Sequence, residues 1–158
     1  MNSLIQEEFP LHETQSLRYD LMNTLTDADL TYKLPGDHPT LGELCREMGE
    51  LEHNYVESFK TRQHDWSYRN TSETMGSSVN ELTAWYKTLD AEFETVLSQF
   101  SDDELHNSEI NRGDDIRVSP HTQFEIYREA IMMFYAKASV YLKALQKPVN
   151  QQWQQWIG

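Results

Sequence analysis

The chain has 158 residues, with 26 acidic and 13 basic side chains and a formal net charge of −13 at pH 7. Nucleic acids and anionic membrane surfaces bind clusters of lysine and arginine, and the sequence has no such cluster, so neither partner is expected. No segment approaches the roughly 20 apolar residues that cross a bilayer. The single cysteine, Cys45, excludes an internal disulfide, which fits a reducing cytoplasm. We predict one cytoplasmic domain over residues 1–158.

The N-terminal half contains two segments in which apolar residues recur at three- and four-residue steps, the pattern of a helix with one buried face. They span residues 11–25 and 40–61 and are joined by a short turn and a loop. The second segment begins with Thr40, followed three residues later by Glu43. This spacing predicts a capping box, in which each side chain accepts a hydrogen bond from the backbone N–H of the other residue.

The C-terminal half has the same periodicity over residues 78–100 and 120–146. Ser78 and Glu81 predict a second capping box at the start of the third helix. The fourth helix follows Ser119, which can accept an N–H at the helix start, and a proline that suits the first helical position. Because no glycine or proline interrupts the segment before residue 148, we predict one long helix.

The segments between these helices are predicted to be loops. Residues 62–77 are polar and form a long connection with Trp66 as its anchor. Residues 107–118, with Asn-Arg-Gly at their centre, predict a small hairpin or an ordered loop. Residues 148–158 form a tail whose two tryptophans predict packing on the bundle or on a partner. Four amphipathic helices without a substantial sheet predict an all-α four-helix bundle with long loops.

Few polar residues on the predicted helices suggest chemistry. Glu50 and His53 match half of the Glu-x-x-His pattern of di-iron bundles, but the required second copy is missing, so a solvated polar face is the preferred interpretation. None of the six histidines lies three or four residues from another, which excludes the helical His-x-x-x-His metal motif. Cys45 has no adjacent histidine or lysine and is predicted to be a buried, unreactive thiol.

Three short motifs, in this order, resemble the DinB-like (YfiT-like) superfamily of bacterial four-helix proteins. Residues 21–34 are similar to the linker after the superfamily's first helix, and Thr-Leu-Gly-Glu-Leu at 40–44 is similar to the start of its second helix. Ser-Val-Tyr-Leu-Lys-Ala-Leu at 139–145, with a proline and a tryptophan soon after it, resembles its C-terminal end. The resemblance covers about residues 10–156 and implies an up-down-down-up bundle that forms a homodimer.

Known members of this superfamily bind a divalent metal through three histidines, and several are thiol-dependent transferases or isomerases. The positions of this chain that correspond to those ligands are Glu47, Ala130 and Phe134. Alanine and phenylalanine cannot bind a metal, and Met133 beside Phe134 would be a soft thioether ligand at best. The resemblance therefore implies a vestigial metal site with one carboxylate, and we predict that the chain holds no metal and no cofactor.

Two functions remain open. The first is a metal-free bundle that binds a small ligand, or a partner, in the pocket where the metal would lie. The alternative is a thiol-dependent transferase or a metal-dependent hydrolase-like enzyme whose site is rebuilt from Glu47, Glu129 and His121. The sequence does not decide whether the chain is an enzyme. Aromatic residues beyond those that the core needs, among them Trp85 and Trp156, predict an apolar interface and a homodimer.

Overall fold

A computed structural model of the chain describes residues 2–6 and 11–158. Within these residues the chain forms four long helices, four short helices and a two-stranded antiparallel hairpin. The helices are α1 (Ser3–Gln6), α2 (Leu11–Thr24), α3 (Asp27–Leu30), α4 (Leu41–Thr61), α5 (Val79–Leu97), α6 (Asp102–Asn107), α7 (Pro120–Ala144) and α8 (Gln151–Trp156); the strands are β1 (Ile110–Asn111) and β2 (Arg117–Val118). The four predicted helices are confirmed as α2, α4, α5 and α7, and the predicted hairpin is confirmed as β1 and β2.

The helix starts follow the capping residues of the sequence. At α4, the Thr40 hydroxyl accepts from the Glu43 N–H at 3.1 Å, and the Glu43 carboxylate accepts from the Thr40 N–H at 2.7 Å. This confirms the first predicted capping box. At α5, Ser78 accepts from the Glu81 N–H at 3.3 Å, but the Glu81 carboxylate accepts from the Thr74 hydroxyl instead. The second predicted box is therefore only half formed, because Thr74 competes for the carboxylate.

Helices α4 and α5 run parallel to each other. In the first half of both helices, the Tyr86 hydroxyl donates to the Cys45 carbonyl oxygen at 2.6 Å. Near the end of both helices, the ring centroids of Phe59 and Phe93 are 5.4 Å apart. Two parallel helices that follow each other in the chain need a long return connection, and residues 62–78 provide it.

Helix α7 runs antiparallel to α4. Gln123, near the start of α7, donates from Nε2 to the hydroxyl of Ser58 near the end of α4 at 2.8 Å. Tyr141, near the end of α7, donates to the carbonyl oxygen of Pro39, just before α4, at 2.7 Å. Helix α2 runs opposite to α5, because the residues before α2 contact the end of α5 and those after it contact the start of α5. The long helices therefore run up, down, down and up, as the resemblance implied.

Two glycines of α4 let neighbouring segments approach the helix closely. A Cβ atom at Gly42 would lie 1.8 Å from the carbonyl oxygen of Gly76, which is too close for any side chain. Glycine at position 42 of α4 therefore allows the backbone of the 62–78 connection to contact the helix. A Cβ atom at Gly49 would lie 2.4 Å from the ring of Trp85 in α5. These contacts fix the connection and α5 against α4.

The C-terminal tail packs against α2 and α7. Trp153 is buried, with its ring centroid 5.7 Å from that of Tyr135, and Gln152 donates to the Ser16 hydroxyl at 3.2 Å. Trp156, by contrast, remains 41% exposed. No helix in the described part of the chain combines the length and the apolar character needed to cross a bilayer.

Candidate functional site

A cavity of about 460 Å³ opens between the loop before α4, the first half of α4 and the second half of α7. We call it the larger cavity, in comparison with the adjoining cavity of about 180 Å³ that shares Glu47 with it. Most of its wall is apolar, and the Tyr141 ring is held in place because its hydroxyl donates to the Pro39 carbonyl oxygen. The lining residues are Leu34, His38, Pro39, Leu44, Glu47, Lys137, Val140 and Tyr141.

A smaller cavity of about 180 Å³ lies farther along α4, beside the 62–78 connection. Its lining residues are Glu47, Glu50, Leu51, Asn54, Trp66, Arg69 and Phe134. Because Glu47 lines both cavities, we refer to the two together as the groove. Polar groups are more prominent in the smaller cavity, whereas the larger cavity has the more apolar wall.

Glu47 lies where the two cavities meet, and its side chain is exposed. It forms no ion pair or hydrogen bond with any residue of 2–6 or 11–158. Across the groove, the Lys137 ammonium lies 5.0 Å from the centroid of the Phe134 ring, where the ring quadrupole attracts it. Lys137 also lacks an ion pair within the described ranges. The groove therefore presents one carboxylate and one ammonium group that can contact a ligand.

Glu50 is buried under the 62–78 connection, although the sequence pattern indicated a solvated face. Its Oε1 accepts from the Asn70 N–H at 2.9 Å. The guanidinium nitrogens of Arg46 and Arg69 lie 3.6 Å and 3.9 Å from its carboxylate oxygens. The interpretation of Glu50 as a solvated residue is therefore wrong, because the connection covers the carboxylate and supplies partners for it.

Asn54 is a buried polar side chain of the smaller cavity, with 4% of its surface exposed. It also lines a third cavity, of about 470 Å³, between α4 and the 62–78 connection. Its carboxamide forms no hydrogen bond with any residue that the structure describes. Because it lines two cavities and has no partner among the described residues, the Asn54 carboxamide is a candidate ligand contact.

His64, rather than the predicted Trp66, is the buried anchor of the 62–78 connection. Its Nδ1 accepts from the Gln123 Nε2 of α7 at 2.7 Å. Burial, together with the nearby Arg112 guanidinium, lowers the pKa of His64 to about 4, so the ring is neutral at pH 7. The Trp66 ring lies 3.9 Å from the His64 ring between centroids but stays 46% exposed, so it forms an aromatic wall of the smaller cavity.

Neither a protein-family model nor a curated protein matches the chain in sequence. The structure is similar to the 2.30 Å crystal structure of a DinB-like protein, YjoA, from Bacillus subtilis. The TM-score is 0.70, and the similarity covers 90% of this chain and 94% of that chain at 14% sequence identity. The chain has the DinB-like fold.

Within this DinB-like bundle, Glu47 and Phe134 both line the smaller cavity. Ala130 lies one turn earlier on α7 and is not among the lining residues of either cavity of the groove. His121 lies in the first turn of α7, with its ring against a histidine of α6, and Glu129 is exposed. The structure therefore brings Glu47 and Phe134 together, but it does not bring Glu129 and His121 to the groove.

The residues of the groove do not fit the metal that the superfamily resemblance implies. A metal site in such a bundle needs three converging protein ligands, and the corresponding positions offer only the carboxylate of Glu47. Cys45 is buried, and burial raises the pKa of its thiol to about 12, as expected for an unreactive cysteine. Among residues 2–6 and 11–158, no group of three or more His, Cys, Asp or Glu side chains could hold a metal ion.

A second cluster of charges lies inside the DinB-like bundle, and the sequence pattern does not reveal it. Arg18 of α2 is fully buried, and its guanidinium contacts the carboxyl groups of Glu52 in α4 and Asp90 in α5. The Tyr19 hydroxyl donates to Asp90. The Arg18 guanidinium also lies 4.3 Å from the centroid of the Tyr86 ring. We call Arg18, Tyr19, Glu52 and Asp90 the polar centre.

Two carboxyl groups share one guanidinium in the polar centre. Complete burial raises the pKa of Glu52 to about 8, although the Arg18 charge opposes this shift. Glu52 is therefore the carboxyl group of the polar centre that holds a proton more readily than an ordinary glutamate. None of the four residues of the polar centre lines the groove, so we assign the centre to the stability of the bundle.

Spacing on the helices could have identified further groove residues. Lys137 lies three residues after Phe134, and Asn54 lies seven residues after Glu47, so each pair shares one helix face. Both pairs line the groove. The residues that the 62–78 connection contributes carry no comparable signal, because a loop has no helical period.

Proposed function

We propose that the chain is a metal-free DinB-like protein that binds a small molecule in the groove. The observation that carries this proposal is the larger cavity, whose volume of about 460 Å³ lies in the usual range of ligand sites, about 300–1,000 Å³. Its apolar wall provides area for hydrophobic burial. Its few polar groups, Glu47 and Lys137 among them, provide orientation and specificity.

The chemistry of the superfamily's ligand positions supports binding without a metal. Phe134 brings an aromatic ring to the smaller cavity, where a metal site would need a nitrogen or oxygen donor. Ala130 has no donor atom. Glu47 is the only oxygen donor of the three, and one exposed carboxylate is a weak site for a divalent ion. The same carboxylate can instead accept a hydrogen bond from an organic ligand.

The enzyme alternative requires Glu47, Glu129 and His121 to act on one substrate. His121 lies at the start of α7, whereas Glu47 faces the second half of that helix, near Phe134 and Lys137. A general acid or base must come within hydrogen-bond reach of the reacting group. This separation favours the binding function over the rebuilt enzyme site.

An NMR screen with uncharged aromatic and alicyclic fragments tests the proposed function. We expect fragments to shift the backbone amide signals around Leu44 and Val140, because both residues line the larger cavity. Val140→Trp should fill the cavity and abolish these shifts. Ala136→Trp is the matched control: Ala136 is exposed on the same helix and lines neither cavity of the groove. Fragments that bind Val140→Trp as well as the unmodified chain would contradict the proposal.

We also propose a homodimer, on different grounds from those that the sequence suggested. The surplus aromatic residues of the sequence also include Tyr86 and Trp153, which are buried within the chain and need no partner to cover them. Met133 of α7 and Trp156 of α8 line neither cavity of the groove, are exposed by 60% and 41%, and provide apolar surface for a partner. Light scattering at micromolar concentration should give twice the mass of one chain, and the mass of one chain would contradict the dimer.

A further inference from the structure

The larger cavity carries two opposite charges on different helices. Glu47 belongs to α4 and Lys137 to α7, and both line the cavity. Neither forms an ion pair with a residue that the structure describes, so each charge is available to a bound molecule. Two further titratable groups, His38 and Tyr141, also line the cavity. The Tyr141 hydroxyl already donates to the Pro39 carbonyl oxygen. Glu47 supplies the carboxylate of the cavity and Lys137 supplies its ammonium group.

The rest of the cavity wall is mainly apolar, with side chains from Leu34, Leu44 and Val140. A ligand with a single charge would satisfy either the carboxylate or the ammonium group and leave the other without a partner. An uncharged ligand would pair with neither. A ligand that carries both an ammonium and a carboxylate group satisfies both. Its net charge of zero also avoids long-range repulsion from a chain of net charge −13.

We propose that the groove binds a zwitterionic amino acid with an apolar side chain. This proposal rests on the proposed function. The ammonium group of the ligand contacts Glu47, and its carboxylate contacts Lys137. The apolar side chain packs against Leu44 and Val140. This assignment gives a partner to each charged group of the cavity and uses the apolar wall for hydrophobic burial.

The volume of the larger cavity indicates which amino acid is the best probe of the proposal. A closed cavity of about 150 Å³ is known to hold one benzene molecule. The larger cavity has about 460 Å³, which is enough for an aromatic ring together with the amino acid backbone. L-Phenylalanine is therefore the probe that uses both the charges and the volume.

The expected effect of each charge contact is small, because Glu47 and Lys137 are both exposed. Contacts between exposed charges contribute little to affinity, so the loss of one should weaken binding about two- to fivefold. The contribution should also fall as the salt concentration rises, because salt screens exposed charges. Titrations are therefore best performed at low ionic strength.

The experiment compares four probes by NMR titration at pH 7. L-Phenylalanine carries both charges, 2-phenylethylamine lacks the carboxylate, 3-phenylpropanoate lacks the ammonium group and 3-phenylpropan-1-ol lacks both. We expect L-phenylalanine to bind most tightly. Glu47→Gln should weaken L-phenylalanine and 2-phenylethylamine but not 3-phenylpropanoate. Lys137→Gln should weaken L-phenylalanine and 3-phenylpropanoate but not 2-phenylethylamine.

Two exposed residues of α5 provide matched controls, since Glu94→Gln and Lys87→Gln remove the same charges away from the groove. Neither control should change the affinity of any probe. If the alcohol binds in the groove as tightly as L-phenylalanine, or if the Glu47 and Lys137 variants leave L-phenylalanine binding unchanged, the zwitterion assignment is wrong and the proposed function stands. If neither these probes nor the uncharged fragments bind, both fail.

Discussion

Glu47 and Glu52 lie five residues apart on α4, yet their carboxyl groups have opposite surroundings. Glu47 is exposed in the groove and has no ion pair with a described residue, whereas Glu52 is fully buried and contacts Arg18. The polar centre finds charged partners within the chain, because Arg18 and Asp90 face each other there. The groove has charged groups without such partners. The contrast fits a structural role for the buried charges of the polar centre and, under the proposed function, a binding role for Glu47 and Lys137.

The two regions should respond differently to substitution. A buried charge is stabilised only by its partners, and removal of one partner leaves the other charge in a medium of low polarity. An exposed charge keeps its hydration, so its removal changes stability little. Variants of the polar centre should therefore change the free energy of unfolding. Variants of the groove should change ligand binding at nearly constant stability.

Replacement of Arg18 by alanine should have the largest effect. We expect the free energy of unfolding to fall by about 3–5 kcal/mol, because the buried carboxyl groups of Glu52 and Asp90 lose their cation. Urea denaturation at pH 7 measures this change. The control Arg117→Ala removes an exposed pair with Glu109 at 3.4 Å and should change stability by about 0–1 kcal/mol. A similarly small effect for Arg18→Ala would contradict the structural role of the polar centre.

The pH dependence of stability should follow Glu52. Its pKa in the folded chain, about 8, lies above its ordinary value of 4.5, so the folded state holds the proton more tightly than the unfolded state. This contribution is therefore largest below pH 4.5 and is lost as the pH rises through the folded pKa. Between pH 6.5 and 8, we expect a loss of at most about 2 kcal/mol, measured by urea denaturation.

The chosen pH window avoids the buried histidine. The pKa of His64 is lowered to about 4, so its contribution to stability is lost only as the pH falls below about 6.5. Glu52→Gln keeps the shape of the side chain and cannot titrate, so its stability should not fall from pH 6.5 to 8. A rise in the stability of the unmodified chain over this window would contradict a raised pKa of Glu52.

Glu47→Gln should change stability least among these variants. Glu47 is exposed and has no ion pair with a described residue, so we expect a change within about 0.5 kcal/mol. The same urea experiment measures it. A loss above about 1 kcal/mol would mean that Glu47 supports the fold, and the contrast with Glu52 would then fail.

Much of the fold was predictable because local signals mark the helix ends. Thr40 and Glu43 form the capping box that their spacing predicts, and Ser119 accepts from the Thr122 N–H at the start of α7. The end of α5 was harder to place. The helix ends at Leu97, and the apolar pattern continues to a buried Phe100 outside the helix.

The polar centre was not predictable from the sequence alone. Arg18 follows Leu17, and Glu52 follows Leu51, so each lies beside the apolar stripe of its helix. Which neighbour of such a stripe points inward depends on where the other helices pack. Helix α4 contacts α5 on one side and α7 on another, and the 62–78 connection covers Glu50. Because α4 is covered on several sides, a charged residue beside its apolar stripe cannot be assumed to face solvent.

The groove was predictable in part. The superfamily resemblance pointed to Glu47 and Phe134, which line the smaller cavity together. It could not indicate the walls supplied by the 62–78 connection, such as Trp66, because their positions depend on how His64 anchors that segment. It also gave no reason to expect Lys137 opposite Glu47, since the superfamily's metal ligands do not include that position.

Metal analysis of protein purified without an affinity tag tests most directly whether this DinB-like bundle uses its groove without a metal. We expect less than one zinc or nickel ion per chain and no rise in the melting temperature when either ion is added, because an ion that does not bind the folded state cannot stabilise it. One stoichiometric ion per chain, with a raised melting temperature that Glu47→Gln abolishes, would contradict the proposal and favour the enzyme alternative.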